Sequence, residues 1–303
     1  MSRKGDTAAM RTSDPDAPFL IVLGIAQDGG YPQAGCRREC CRRAWDDPTR
    51  RRHAVCLALV DPRSRQRWLL ECTPDFREQL RMLDAVASAH DGGDLDGVLL
   101  THAHIGHYTG LIHLGREVWG TCRTPVHAMP RMKHFLETNG PWSQLVSAEN
   151  IVIRELIDGV PQHLNERIRA TPFLVPHRDE YSETVGFLIE GPARSAFFLP
   201  DIDKWSRWET RIEVVLSRVD VAYLDGTFYA DGELPGQDMS KIPHPFIEES
   251  LRCLAGQPQH ERSKVRFLHF NHTNPVLDPR SPEAEQVRAA GCHLAAEGER
   301  FEL

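Results

Sequence analysis

Val98-Leu99-Leu100-Thr101-His102-Ala103-His104-Ile105-Gly106-His107-Tyr108-Thr109-Gly110-Leu111 is the stretch on which the reading of this chain turns. An apolar run at Val98–Leu100 leads into three imidazoles and then into further apolar residues. The i, i+2 spacing lets His102 and His104 leave a strand end on one side, and a helix opening just afterwards brings His107 alongside. Neutral nitrogen ligands gathered in this way suit a first-row metal ion. The chain has 15 histidines in 303 residues, so the pattern can arise by chance and needs partners elsewhere. The alternative is a solvated histidine loop.

Composition narrows the class. A chain that is 41% hydrophobic and 26% charged is an ordinary globular protein with enough length for a sizeable core. Its net charge of −7 argues against a broad nucleic-acid footprint, which needs a basic face. No apolar run approaches the ~18 residues of a membrane span. Residues 1–17 are polar and lack the apolar core of a secretion signal, so they are expected to form a disordered tail ahead of a single domain at 18–303. Eight cysteines without an export signal point to a reduced, cytoplasmic setting, where clustered thiols more often bind metal than pair.

Strand-like runs fall at Phe19–Gly24, Val55–Val60, Trp68–Glu71, Gly97–Thr101, Ile151–Leu156, Ile168–Val175, Thr184–Glu190, Ser195–Leu199, Val219–Leu224 and Val265–Phe270. Helical periodicity falls at Asp75–Val86, Pro130–Glu137, Lys204–Leu216 and Pro245–Leu254. Strand-rich halves broken by single helices predict an α/β architecture: an αββα sandwich of two mixed sheets with helices outside. The Gly-, Pro- and Asp-rich stretch Gly226–Pro245 reads as the longest loop, and loops of that length are usually functional.

The strand followed by T-H-A-H-I-G-H resembles the metal loop of the metallo-β-lactamase superfamily, whose pattern is H-x-H-x-D-H. Further matches lie in order: Val175-Pro176-His177, Phe198-Leu199-Pro200-Asp201 and Phe267-Leu268-His269, each after an apolar run, with Glu71-Cys72-Thr73-Pro74-Asp75 where the family has an Asp-x-Gly turn. The resemblance implies one metal held by His102, His104 and His177 with Asp201 bridging, and a second held by His107, His269 and Asp201. It implies zinc, with iron or manganese as alternatives. Two cations sharing a carboxylate can make a nucleophile from water near neutral pH. Asp75, Asp203 and Asp225 are candidates to fix the outer nitrogens of the histidines. One departure stands out. The family's second-site aspartate is Gly106 here, so the second ion is expected to be partial, labile or completed by water.

Gly30-Tyr31-Pro32-Gln33 followed by Cys36, Cys40 and Cys41 is the second signal. Three thiols this close suit a closed structural zinc site that needs one more ligand. The arrangement is similar to the superfamily branch containing coenzyme PQQ synthesis protein B, and that resemblance implies His272 as the fourth ligand. A strained vicinal disulfide is the alternative. The scattered Cys56, Cys72, Cys122, Cys253 and Cys292 read as buried small hydrophobes. Seven arginines between Arg37 and Arg52 read as a solvated face or, alternatively, an anion site.

The leading functional reading is a metal-dependent hydrolase of an ester-like or phosphodiester small molecule, with an anionic substrate as its partner. His244, Tyr108 and Asp225 are candidates for the group that protonates the leaving oxygen. The alternative, from the same branch, is a mononuclear iron oxygenase or an accessory protein in PQQ synthesis or transport. Membrane and nucleic-acid partners are not expected, and a homodimer is left open.

Overall fold

A computed structural model describes residues 14–88 and 95–303. Most of the tail expected at 1–17 therefore lies outside the described residues. Fourteen strands and nine α-helices are formed by the described residues. The first group is β1 (Phe19–Gly24), β2 (Cys56–Asp61), β3 (Gln66–Leu70), β4 (Gly97–Leu99), β5 (Thr124–Ala128) and β6 (Ile151–Glu155). The second is β7 (Gln162–His163), β8 (Arg169–Leu174), β9 (Val185–Glu190), β10 (Ser195–Leu199), β11 (Val221–Asp225), β12 (Val265–Leu268) and β13 (His293–Leu294), and β14 (Arg300–Glu302) closes the chain. The helices are α1 (Glu39–Asp46), α2 (Phe76–Val86), α3 (Ile105–Tyr108), α4 (Pro130–Thr138), α5 (Trp142–Ser147), α6 (Ile212–Leu216), α7 (Ile247–Leu254), α8 (Gln259–Arg262) and α9 (Pro282–Ala289).

The strands form two seven-stranded sheets, ordered β14-β1-β2-β3-β4-β5-β6 and β13-β12-β11-β10-β9-β8-β7. Side chains alternate across each strand, and β1 shows the result. Leu20 and Val22 pack into the core between the sheets with Leu57, Leu59, Phe187 and Phe197. Phe19, Ile21 and Leu23 face the other way, against Phe76, Leu83 and Met132 of the helices outside. On the far side, Ile212, Ile247, Leu254 and Val287 from α6, α7 and α9 cover the second sheet. This is the αββα sandwich expected from strand-rich halves broken by single helices.

Strand pairing then gathers the chain's chemistry on one rim. β3, β4 and β5 run parallel, as do β10, β11 and β12. β1 is antiparallel to β2, which is antiparallel to β3, so β1 also ends on the side where β3 and β4 end. The segments leaving β1, β3, β4, β10, β11 and β12 carry Asp28, Glu71, the three histidines of the motif, Asp201, Asp225 and His269. Ligands at the carboxyl ends of parallel strands follow the general rule for such sheets.

Some elements differ from expectation. The helix expected over Lys204–Leu216 is broken into a 3₁₀ turn at Trp205–Arg207 and the short α6. The indoles decide it: Trp205 Nε1 donates to Ser250 Oγ at 2.8 Å and Trp208 Nε1 to the Leu174 carbonyl at 3.3 Å, which a continuous helix would not serve. The long loop after β11 is folded on itself. Phe228, Met239 and Phe246 form a small apolar cluster that carries His244 inward.

Candidate metal centre

Each histidine of the motif reaches the rim with one nitrogen fixed from outside and the other facing a common point. His102 Nδ1 lies 2.8 Å from Thr101 Oγ1, and its Nε2 is 3.2 Å from Asp201 Oδ2. His104 turns Nδ1 inward, 2.8 Å from His102 Nε2, and sets Nε2 against Glu180 at 3.4 Å. His177 Nε2 approaches the other oxygen of Asp201, Oδ1, at 3.3 Å. Donor atoms of His102, His104, His177 and Asp201 all fall within 4.8 Å of one another. The set expected for the first ion is thus brought together.

The second group adds a residue that sequence reasoning missed. His107 Nδ1 faces the buried Glu71 carboxylate at 3.4 Å, while its Nε2 lies 3.2 Å from Asp28 Oδ1 and 3.8 Å from Asp201 Oδ2. His269 Nε2 stands 3.5 Å from the same Asp28 oxygen. The carboxylate-poor second position expected from Gly106 is not what the structure places there. Asp28, from the turn after β1, stands beside both imidazoles.

Thr227 determines the tautomer of His269. Its hydroxyl donates to Asp225 Oδ1 at 2.7 Å, so it accepts from His269 Nδ1 at 2.9 Å, and the His269 Nε2 lone pair is left to face Asp28. Asp225 Oδ2 holds His244 Nδ1 at 2.8 Å, and Asp201 Oδ1 lies 3.1 Å from the same nitrogen. Of the three acids considered for orienting the histidines, Asp225 alone does so. Asp75 instead accepts from the Ala54 backbone N–H at 2.7 Å, and Asp203 is committed to Arg207 at 2.6 Å and the Lys204 N–H at 2.7 Å. Glu71, at the acidic position of the expected turn, takes the role for His107. Tyr108 packs its ring against Trp142 and Phe135, at centroid distances of 4.8 and 5.4 Å, inside the aromatic cluster beneath the motif.

Two backbone angles hold the arrangement. Glu71 and His269 both sit in the left-handed region, with φ of 79° and 65°, directly after their strands end. Non-glycine residues there cost of order 1–3 kcal/mol and persist where the surroundings over-determine them.

The donor set fits a divalent cation. Asp28 Oδ1, Asp201 Oδ1 and the Nε2 atoms of His107, His177 and His269 are buried without a hydrogen-bond partner. Each such group costs about 1–3 kcal/mol if left so. Imidazole nitrogens and carboxylate oxygens converging on one point are the ligands of zinc, iron or manganese. The electrostatics agree. Burial disfavours charge on His107, yet Glu71 and Asp28 still raise it well above the ordinary imidazole range, and a cation answers the same demand. Burial likewise opposes the charge of Asp28, while His107 and His269 hold its carboxyl far below the usual range. His244 is pushed down by burial but up by Asp225 and Asp201, and the carboxylates win, raising it to about 9. Solvent reaches the point past His104 and Asp28, whose side chains are 15% and 28% exposed.

A second cluster lies nearby. Cys41 Sγ and Cys40 Sγ approach His272 Nδ1 at 3.3 and 3.7 Å, and Cys36 Sγ lies 3.8 Å from Cys40 Sγ. Three thiols and one imidazole match a closed tetrahedral zinc site. Of the scattered cysteines, Cys56, Cys72 and Cys292 are buried as expected, but Cys122 and Cys253 are exposed. In the arginine run, Arg42 and Arg43 pair with Glu39, Arg50 pairs with Asp47, and Arg51 caps the carbonyls of Ala44 and Trp45.

Comparison with known proteins bears on the fold. The Beta-lactamase superfamily domain matches residues 66–270. Coenzyme PQQ synthesis protein B of Xanthomonas campestris pv. campestris is 29% identical over 94% of this chain and 99% of its own length. Among solved structures, Zn(2+)-bound PqqB from Methylobacterium extorquens superposes with a TM-score of 0.78 at 24% identity, covering 94% of this chain and all (100%) of that one. A diphosphatase from the PhnP family gives a TM-score of 0.66 at 20% identity, covering 94% of this chain and 97% of that one.

Proposed function

From its membership of the β-lactamase superfamily, to which this chain belongs on the match over residues 66–270, we propose that the protein is a metal-dependent hydrolase of an ester-like or phosphodiester bond in a small anionic molecule. One observation carries the reading. His102, His104, His177 and Asp201 bring donor atoms within 4.8 Å of one another, and His107 and His269 face Asp28 beside them, on a rim that stays open to solvent past His104. A structural site needs no open side; a catalytic one does. A divalent cation held there supplies a Lewis acid and acidifies water near neutral pH.

The chain's own residues do the rest. Thr101 and Thr227 hold the outer nitrogens of His102 and His269, and the Glu71 carboxylate faces that of His107 at 3.4 Å, which keeps the inner lone pairs aimed. Asp225 anchors His244 through Nδ1, leaving its Nε2 edge to deliver a proton to a leaving oxygen. Asp225 positions His244 and touches no substrate. Tyr108 has no part in this account, since its ring is engaged with Trp142 and Phe135. The cluster of Cys36, Cys40, Cys41 and His272 would hold a further zinc ion with a purely structural task. Among the described residues no helix is long and apolar enough to cross a membrane, and the reduced thiols suit the cytoplasm.

Element analysis of protein purified without chelator, followed by a screen of simple phosphodiesters and lactones, tests the reading. Activity that needs the metal and falls at least about 100-fold in His104→Ala supports it. Full-rate turnover by that variant would refute it. Kinship with PQQ synthesis protein B favours a second reading, an iron oxygenase or accessory protein in PQQ synthesis. Strict anaerobiosis separates the two, because only the oxygenase stops.

A further inference from the structure

Position 106 is glycine for a reason that lies 78 residues earlier in the chain. A Cβ placed on Gly106 would stand 2.3 Å from Asp28 Cα, 2.6 Å from its Cβ and 2.5 Å from its Oδ1. These separations are far inside van der Waals contact, and two of the three atoms belong to the acidic side chain itself. The space that an aspartate at 106 would enter is therefore already filled by an aspartate that arrives from a different segment.

That segment is fastened where it matters. Ala26 bridges to both Ala54 and Phe270, and the Gln27 N–H donates to the Phe270 carbonyl at 2.9 Å. Asn271 Nδ2 donates to Gln27 Oε1 at 2.5 Å, and the Gly30 N–H closes the turn on the Gln27 carbonyl at 2.8 Å with φ of 65°. The turn is thus bonded to the residues directly after His269, so Asp28 and His269 are positioned together. Asp28 Oδ1 then meets His107 Nε2 and His269 Nε2, and all three atoms are buried without a hydrogen bond.

We propose that Asp28 is the carboxylate ligand of a second cation, held with His107 and His269, and that Asp28 and Gly106 form an exclusive pair in which only one position can carry the acid. This rests on the reading of the rim as a metal centre. Asp28 lies outside the span 66–270 that matches the superfamily, so no motif within that span announces it. The expected deficit at the second site is instead a relocation.

Zinc titration of metal-free protein, with stoichiometry confirmed by element analysis, tests this independently of turnover. Wild type should take three ions: one at the cysteines and two at the histidine rim. Asp28→Asn keeps the shape of the turn and removes the charge. It should lose the second rim ion, with affinity falling more than about 100-fold, beyond the 10–100-fold that loss of an outer partner costs. The first rim ion and the cysteine ion should stay. Gly106→Asp should disturb the turn and lose the second rim ion, and it should do so even in a chain that also carries Asp28→Gly, because the Cα of residue 28 stays 2.3 Å from the added Cβ. Unchanged stoichiometry and affinity in Asp28→Asn would overturn the proposal and leave the metal-centre reading standing. A wild-type rim that takes no zinc would overturn both.

Discussion

The Thr227 hydroxyl shows how much of the site depends on groups that never touch the ion. It donates to Asp225, accepts from His269, and lies 3.2 Å from His244 Nδ1. Thr227→Val preserves the shape and removes all three interactions. We expect the variant to fold and to bind its second rim ion about 10–100-fold more weakly, as read by competition with a chromophoric chelator. Wild-type affinity would show that His269 needs no outer anchor. The residues differ in how well they could be read. His102, His104 and His107 announce themselves because their spacing is local, and His177, Asp201 and His269 because each follows an apolar strand. Asp28 does not, since an acid before Gly29-Gly30 looks like ordinary turn chemistry. Its role exists only once β1 is laid beside the end of β12. Glu71 is hidden differently: its turn is legible, but a carboxylate directly after the apolar run Trp68–Leu70 gives no sign that it is buried beside a histidine.

Among the elements, long apolar strands were legible and short or mixed ones were not. β5 reads Thr-Pro-Val-His-Ala, with too few apolar residues to signal a strand, yet it is paired on both sides by β4 and β6. α9 buries only Ala284 and Val287, which leaves little periodicity to detect. β14 is three residues long, and it is placed beside β1 by pairing and by Arg300 lying over the Phe19 ring. The turn ahead of it is tied to the segment before β2 by His53 and Glu297, with Nδ1 3.2 Å from Oε1. The bond to Glu297 raises His53 above its ordinary value against the opposing effect of burial. A raised imidazole stabilises the fold fully below about 6.5, the unfolded value, and loses that contribution as pH climbs through the higher folded value. The stability gap between wild type and Glu297→Gln in urea should therefore be larger at pH 6 than at pH 9, by roughly 0.5–1 kcal/mol for a partly exposed pair. A gap independent of pH would mean that only the His53 backbone N–H bond to Glu297 matters.

At the scale of the molecule, each sheet is drawn almost entirely from one continuous half of the chain, with β14 the single strand that returns. The rim ligands divide the same way. Asp28, His102, His104 and His107 come from the first half, and His177, Asp201 and His269 from the second. The link between them, just past β6, is a surface turn with Ile157 61% and Val160 49% exposed. Surface turns of this kind tolerate a break. Co-expressed fragments divided at Asp158-Gly159 would each carry part of every proposed ion site and complete none of them. Reassembly rests on the apolar core between the sheets and should be strengthened by zinc, with chelator raising the concentration at which the pieces part on a sizing column and added metal lowering it. The sandwich that positions the centre would in that form become a metal-tightened clasp between two polypeptides.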